Sequence, residues 1–190
     1  QVRVLPAAYW ANTTTQERAL FGHRHAVYSF PTTELVEHLR ELIGDRRAIE
    51  IGAGHGALAA ALDIPATDNR MQEQAPYAEL YARTGQPPVR YGSNIVAMDA
   101  HEAVQTYRPQ IVVACWVTHR WDPRRHWAGG NEIGVKEEAV IRRADYIFVG
   151  NERVHRDKMI WDLPHDISYP PWLYSRAHNG THDFIATWRR

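Results

Sequence analysis

A glycine-rich turn follows a predicted strand in this sequence of 190 residues. The segment Glu50–Gly56 places a carboxylate at the end of the strand and glycine at every second position after it. Glycine adopts left-handed backbone conformations at little cost and lets a ligand approach the main chain closely. In open parallel sheets, ligands bind beyond the carboxyl ends of the strands. The spacing therefore predicts a ligand-binding turn built on Gly52, Gly54 and Gly56.

The spacing also separates this turn from other glycine-rich loops. The sequence contains no Gly-x-x-x-x-Gly-Lys-Ser/Thr segment, which excludes a P-loop nucleotide hydrolase. A dinucleotide-binding fingerprint would place its third glycine where Ala57 stands, although alanine is sometimes accepted there. A nicotinamide-dependent oxidoreductase therefore stays open as an alternative.

Two further carboxylates follow the next predicted strands. Asp68 ends the second strand, where a carboxylate can accept hydrogen bonds from both hydroxyls of a ribose. Asp99 ends the third strand, where it can accept a hydrogen bond from an adenine amino group. The alternative is that both are turn or helix-capping residues, because aspartate favours such positions.

The residues after the fourth and fifth strands are the candidates for a substrate pocket. His119 is a possible general base, since an unperturbed histidine titrates near neutral pH. Trp116 and Trp121 can stack on a planar or cationic acceptor, while Asn151 and Glu152 can reach the same pocket. The alternatives are a loop histidine, tryptophans that cover the sheet, and polar residues that cap a helix.

The single cysteine and the histidines give weaker signals. Cys115 lies at the end of an apolar run, which favours a small buried residue over a nucleophile. His119 and His126 with Asp122, or His23 with His25, lack the spacing of known metal-binding motifs, so no metal site is predicted.

Strands and helices alternate along most of the chain, which predicts an α/β three-layer sandwich with a mostly parallel, seven-stranded sheet. The predicted strands cover 47–51, 64–67, 94–98, 110–115, 145–149, 167–175 and 183–188. The predicted helices cover 33–43, 57–62, 77–83, 101–107, 134–143 and 154–161. Asn179-Gly180 predicts a turn that joins the last two strands as an antiparallel hairpin. Residues 1–27 are predicted to form an N-terminal arm, with a short helix near 17–21, and residues 28–190 a single domain.

At the glycine turn the sequence resembles the class I S-adenosylmethionine-dependent methyltransferases, which have a Rossmann-like fold. Their first motif, an acidic residue followed by x-Gly-x-Gly-x-Gly, is matched by Glu50–Gly56. Tyr28–Pro31 is similar to the segment that covers the cofactor in that family, and the final hairpin to its edge strands. The resemblance implies S-adenosylmethionine as the cofactor, held by Phe30, Glu50, Gly52, Gly54, Gly56, Asp68, Asp99 and Ala100.

The resemblance implies transfer of a methyl group, and we expect a small-molecule acceptor. Lys+Arg and Asp+Glu both number 22, which argues against a strongly basic nucleic-acid binder. The motif of nucleic-acid amino methyltransferases, Asp, Asn or Ser before Pro-Pro and an aromatic residue, is absent. A sensor that binds the cofactor without catalysis and a nucleic-acid-modifying factor stay as alternatives. A single cysteine and no apolar run of membrane-spanning length lead us to expect a cytoplasmic protein without a membrane partner.

Overall fold

The computed structural model describes residues 2–190, which build one seven-stranded sheet. The strands are β1 (Ala48–Ile51), β2 (Ala66–Asp68), β3 (Ile95–Ala97), β4 (Ile111–Cys115), β5 (Asp145–Asn151), β6 (Asp166–Ser168) and β7 (Asp183–Trp188). Their order in the sheet is β3-β2-β1-β4-β5-β7-β6. β1 to β5 are mutually parallel, and β7 runs antiparallel to β5 and β6. The predicted fold class is confirmed.

The helices lie between the strands, as the alternation in the sequence predicts. They are α1 (Ala7–Ala11), α2 (Thr15–His25), α3 (Thr33–Ile43), α4 (Ala57–Leu62), α5 (Tyr77–Arg83), α6 (Ala100–Tyr107), α7 (Glu137–Ile141) and α8 (Glu152–His155). Short 3-10 helices cover Met71–Glu73, Pro123–Ala128 and Met159–Asp162. None of the helices in residues 2–190 combines the length and the apolar character that crossing a membrane requires.

Helix α3 shows how the local sequence sets these boundaries. The Thr32 hydroxyl accepts a hydrogen bond of 3.1 Å from the Leu35 amide and so caps the first turn. Gly44 ends the helix with φ +57°, a conformation that glycine adopts with little strain. The apolar face of α3 packs under the sheet, where Leu35 and Leu39 are buried.

Both faces of the central strands are buried, which is why their sequences read as continuous apolar runs. On one face, Ile49 and Val112 pack with residues of α6 and α7. On the other face, Val113 and Ile147 pack with residues of α3 and α4. This helix–sheet–helix packing fixes the loops at the carboxyl ends of β1, β2 and β4, where the candidate site lies.

The N-terminal residues are more helical than the predicted arm. Helix α2 begins with a reciprocal cap, in which Thr14 and Glu17 bind each other's backbone amides. The Trp10 ring of α1 stacks on Phe30, with ring centroids 4.2 Å apart and planes inclined by 12°. Phe30 is therefore part of an apolar cluster that joins the N-terminal helices to the segment before α3.

The last two strands form the predicted antiparallel pair, but the connection between them is longer than a turn at Asn179-Gly180 alone. β6 ends at Ser168 because Pro170 and Pro171, which follow closely, have no N–H to donate to a sheet. Residues 169–182 instead form a long connection to β7. The predicted helix over 154–161 is likewise divided into α8 and a 3-10 helix.

Candidate functional site

A cavity of about 750 Å³ lies at the carboxyl ends of β1, β2 and β4. Among the predicted site residues, the cavity is lined by Glu50, Gly52, Gly54, Asp68, Asp99, Ala100 and Trp116. The lining does not include Phe30, Gly56, His119, Trp121, Asn151 or Glu152. The structure therefore brings together most of the predicted cofactor residues and separates them from most of the predicted acceptor residues.

The three glycines of the turn have different roles. All three have positive φ angles, of 58° at Gly52, 54° at Gly54 and 73° at Gly56. A Cβ atom on Gly52 would lie 2.5 Å from Val117 Cγ1, so this glycine lets the loop after β4 pack against the turn. A Cβ atom on Gly54 would meet only Val89 Cγ1, at 3.4 Å, because this glycine borders the cavity. Gly56 directly precedes α4, and a Cβ atom on it would lie 2.6 Å from Asn94 Oδ1.

Asp68 is held in place by two backbone amides. Its Oδ2 accepts a hydrogen bond of 2.9 Å from the Gly54 amide, and its Oδ1 accepts one of 2.7 Å from the Arg70 amide. Burial raises the pKa of this carboxyl, while the two amide bonds oppose the shift. A carboxylate oxygen accepts more than one hydrogen bond. The Asp68 carboxylate is thus oriented by the turn and retains acceptor capacity toward the cavity.

Glu50 is a buried carboxyl at the floor of the cavity. The residue is 2% exposed, and its Oε2 has no hydrogen-bond partner within residues 2–190. Burial raises the pKa of this carboxyl to about 8. Buried polar atoms are normally hydrogen-bonded, so an unpartnered carboxyl oxygen beside a cavity indicates a place where a ligand or water binds.

Asp99 caps helix α6 and borders the cavity. Its Oδ1 accepts hydrogen bonds from the amides of His101, at 2.7 Å, and Glu102, at 3.0 Å. The second oxygen, Oδ2, accepts no hydrogen bond from the described residues. The structure therefore shows Asp99 as a helix cap, and its role as an acceptor for an adenine amino group stays a prediction. Ala100 follows it and also lines the cavity.

Trp116 lies where the chain turns away from β4. Its φ angle is +57°, a strained value for a bulky residue. The indole meets the His155 ring edge to face, with centroids 5.1 Å apart, and its Nε1 has no partner within residues 2–190. The hydroxyl of Ser29, which lines the same cavity, is also buried and without a partner among them. Together with Glu50 Oε2, these atoms leave a ligand one carboxyl, one indole and one hydroxyl group to bind.

A second wall of the cavity was not predicted from the sequence. It contains Tyr28, Gln72, Tyr81 and Tyr91. The Gln72 amide group donates a hydrogen bond of 3.2 Å to the Tyr28 hydroxyl and accepts one of 2.7 Å from the Val89 amide. Tyr28 belongs to the segment Tyr28–Pro31 that the sequence did single out, but residues 71–91 carry no motif. The connection between β2 and β3 brings the lining residues of the range 71–91 to the cavity.

His119 lies beside the cavity but does not line it. Its ring packs against Gly130, where an added Cβ atom would lie 3.1 Å from His119 Nε2. Burial lowers the pKa of this imidazole, and the neighbouring Lys158 lowers it further. Its neighbours Thr118 and Arg120 line the cavity instead. The role of general base for His119 stays a prediction.

The remaining predicted residues hold the fold or face solvent. Asn151 is fully buried, caps α8 through a hydrogen bond from the Val154 amide, and binds Asp183 Oδ1 at 3.0 Å. Glu152 accepts a hydrogen bond of 3.0 Å from the His182 amide. Trp121 is 39% exposed. Asn151 is therefore a helix-capping residue, as the alternative interpretation of the sequence predicted.

The Cys115 thiol and the His55 imidazole, which both line the cavity, are uncharged at neutral pH. Desolvation raises the pKa of the Cys115 thiol to about 12, although the residue as a whole is partly exposed and not fully buried. Burial lowers the pKa of His55 to about 4. Across the part of the chain that the structure describes, no three His, Cys, Asp or Glu side chains are grouped so as to bind a metal ion. The cavity is thus suited to binding through fixed carboxylates, main chain and aromatic rings.

Comparison with known proteins gives structural neighbours only. No known family profile matches the chain, and no curated protein matches its sequence. The similar solved structures include many methyltransferases. Precorrin-6y C5,15-methyltransferase from Geobacter metallireducens is 14% identical with a TM-score of 0.44, over 83% of this chain and 90% of that one. Magnesium protoporphyrin IX methyltransferase from Synechocystis, solved with bound S-adenosylmethionine, is 13% identical with a TM-score of 0.43, over 94% and 85%.

A third similar structure is that of an enzyme named for a tRNA substrate. The tRNA (uracil-54, C5)-methyltransferase from Pyrococcus abyssi, in complex with S-adenosylhomocysteine, is 14% identical with a TM-score of 0.47, over 81% of this chain and 37% of that one. At such identities and TM-scores the similarity assigns no activity to this chain. The residues of the cavity must carry any functional assignment.

Proposed function

We propose that this protein is an S-adenosylmethionine-dependent methyltransferase. The observation that carries the proposal is the Gly54–Asp68 hydrogen bond of 2.9 Å, which fixes a carboxylate beside a glycine turn at the carboxyl end of a parallel sheet. A carboxylate at this position can accept the two hydroxyls of a ribose. The unpartnered Oε2 of Glu50, beside the same turn, provides a second polar contact.

The residues of the cavity fit the parts of this cofactor. Asp68 would accept the ribose hydroxyls, and Asp99, through its second oxygen, the adenine amino group. Gly54 would let the methionine part approach the main chain, with Glu50 facing its positive charge. S-Adenosylmethionine would supply an activated methyl group. The protein's own contribution would be to hold the acceptor in line with that group and to exclude water, which can provide most of the rate enhancement.

We propose a small molecule as the acceptor. The cavity volume of about 750 Å³ lies within the range of about 300–1,000 Å³ typical of small-molecule sites, and it has to hold both the cofactor and the acceptor. The rings of Tyr28 and Trp116, whose centroids are 6.0 Å apart, offer aromatic surfaces for a planar acceptor. The general base predicted at His119 is not needed if the acceptor loses its proton to water after the transfer.

Calorimetry with S-adenosylmethionine, S-adenosylhomocysteine and NAD tests cofactor binding. We expect both sulfur compounds to bind and NAD not to bind. Asp68→Ala should weaken binding by about 100-fold, because two ribose hydrogen bonds to a charged group are lost. Glu152→Ala is a control, since this carboxylate lies outside the cavity and should leave affinity unchanged. Tight NAD binding, or normal cofactor affinity in Asp68→Ala, would overturn the proposal.

Transfer of a labelled methyl group into fractionated cell extract tests the acceptor. Label in the small-molecule fraction supports the proposal, and label in the nucleic-acid or protein fraction contradicts the small-molecule acceptor. Binding of the cofactor without transfer into any fraction identifies a cofactor sensor instead of an enzyme.

A further inference from the structure

A second cavity lies at the opposite edge of the sheet from the candidate cofactor site. It has a volume of about 660 Å³ and is formed where β1, β4 and β5 begin and where the chain leaves β7. Its lining consists of Arg47, Val104, Gln105, Arg108, Pro109, Gln110, Arg143, Ala144, Asp145 and Arg190. The parallel topology produces this convergence, because the amino ends of parallel strands meet at one edge.

The charge of this cavity is strongly positive although the chain as a whole is neutral. Four of its lining residues are arginines, and its acidic residue is Asp145. The Asp145 carboxylate is already engaged, since Oδ2 binds Arg46 Nη1 at 2.6 Å and Oδ1 accepts from the Arg190 amide at 2.9 Å. Within residues 2–190, none of the four lining arginines forms an ion pair.

All four arginines are exposed, and two of their guanidinium groups donate hydrogen bonds to main-chain carbonyls. Arg47 Nη2 donates to the Arg108 carbonyl at 3.2 Å, and Arg190 Nη1 donates to the Arg143 carbonyl at 3.3 Å. Each guanidinium group has several further N–H donors for a ligand. Restraining the side chains before binding reduces the entropy that a ligand must overcome.

We infer that this arginine-lined cavity, formed by Arg47, Arg108, Arg143 and Arg190, binds a small polyphosphate. Several unpaired positive charges around one cavity repel one another, and an anion with several charges relieves that repulsion at more than one arginine. Guanidinium groups bind phosphate oxygens through paired, charge-assisted hydrogen bonds. A ligand with phosphate groups in a row offers more charge and more acceptor oxygens to the separate guanidinium groups than a single sulfate or orthophosphate does.

Calorimetry with inorganic tripolyphosphate, compared with sulfate at the same ionic strength, tests this inference. We expect tripolyphosphate to bind at least about tenfold more tightly than sulfate. Arg47→Gln and Arg108→Gln should each weaken that binding by about tenfold, and Arg47→Lys should have an intermediate effect because lysine keeps the charge but loses the fork of donors. Arg143 is left unchanged because it also lines the cofactor cavity.

Arg189→Gln is the matched control. Arg189 is exposed and adjacent to Arg190, but it does not line the cavity, so its replacement changes the net charge equally. Equal affinities for tripolyphosphate and sulfate, or an equal loss in Arg189→Gln and Arg47→Gln, would show general charge attraction and overturn the inference. Displacement of tripolyphosphate by S-adenosylhomocysteine would also overturn it, since that would place binding in the first cavity.

Calorimetry with adenosine triphosphate in place of tripolyphosphate distinguishes a nucleotide ligand from free polyphosphate. Tighter binding of the nucleotide identifies a nucleotide ligand, and equal binding identifies the polyphosphate alone. Unfolding midpoints of the variants show whether each one is folded. The measurement does not depend on whether the first cavity binds S-adenosylmethionine, so the inference and the proposed function can fail separately.

Discussion

Lys158 and Glu137 form an ion pair that is sealed from solvent beneath the loop after β4, with side-chain exposures of 0% and 1%. Lys158 Nζ also donates to the Val117 carbonyl at 2.9 Å, and the Tyr146 hydroxyl donates to Glu137 Oε1 at 2.8 Å. These hydrogen bonds fix Val117, whose side chain closes against Gly52 of the glycine turn. A buried charged pair therefore supports the loop that borders the cavity beside the glycine turn.

Replacement of one member of this pair should be strongly destabilising. Lys158→Met leaves the Glu137 carboxylate buried without its partner, which typically costs about 3–5 kcal/mol. We expect the double variant Lys158→Met/Glu137→Leu to recover much of that loss, since no charge then stays buried. Urea unfolding of the three proteins measures these free energies. A double variant that loses as much as the sum of both single variants would contradict this account of the pair.

Glu50 should make the stability of the ligand-free protein depend on pH. Burial raises the pKa of this carboxyl to about 8 from the model-peptide value of 4.5, so between these values the folded state holds a proton that the unfolded state has released. Stability therefore falls as the pH rises through this window, by at most about 1.4 kcal/mol per pH unit. Glu50→Gln removes the effect, and its stability relative to wild type should increase from about pH 5 to about pH 8.

Urea unfolding of wild type and Glu50→Gln across that window measures this difference. Parallel stability curves for the two proteins would show that Glu50 does not titrate in it. Binding of S-adenosylmethionine should release a proton from Glu50 in the same window, because a positive ligand favours the carboxylate. Calorimetry in buffers of different ionisation enthalpy detects that release.

Comparison of Gly52→Ala with Gly44→Ala should separate the free-energy cost of backbone strain from the cost of a steric clash. Gly44 and Gly52 have φ angles of +57° and +58°, but a Cβ atom on Gly44 would contact nothing within 4 Å. Gly44→Ala should therefore cost about 1–3 kcal/mol from backbone strain alone, because ψ is −138° and the residue lies outside the left-handed helical region. Gly52→Ala should cost about 1–3 kcal/mol more, because its Cβ atom would lie 2.5 Å from Val117 Cγ1. Equal losses in the two variants would show that Val117 moves aside freely.

Cys115 should resist alkylation in the folded protein. Burial raises the pKa of its thiol to about 12, and the thiolate is the reactive form. We expect iodoacetamide at mildly alkaline pH to leave Cys115 unmodified, as measured by mass spectrometry, and to modify it rapidly in concentrated urea. Rapid modification of the folded protein would contradict the raised pKa, because Cys115 is partly exposed and its resistance depends on the thiol staying protonated.

The sequence predicted the elements whose signals are local. The helix over Thr33–Ile43 has an apolar face, a threonine cap and a terminal glycine, and the structure places its ends at the same residues. The buried central strands appear as apolar runs, and the predicted strand 110–115 matches Ile111–Cys115 to within one residue. Residues at the ends of such strands, among them Glu50, Asp68 and Asp99, were found because parallel strands bring their carboxyl ends to one edge.

The cavity residues that follow β4 could not be predicted in this way. His119 and Trp121 follow β4 directly, but the main chain there turns through a positive φ at Trp116, and the cavity receives Thr118 and Arg120 instead. Which side chains of an irregular loop face a cavity depends on single backbone angles, and no periodic pattern records them.

The sequence by itself determined the α/β architecture and the turn at Glu50–Gly56, because hydrophobic periodicity and glycine spacing act over a few residues. Only the tertiary structure decided that Gln72 and Tyr91 join that turn, and that arginines from four separate segments meet at the opposite edge of the sheet. Those residues are distant along the chain and share no local signal. Their proximity follows from strand order and from how the connections cross the sheet.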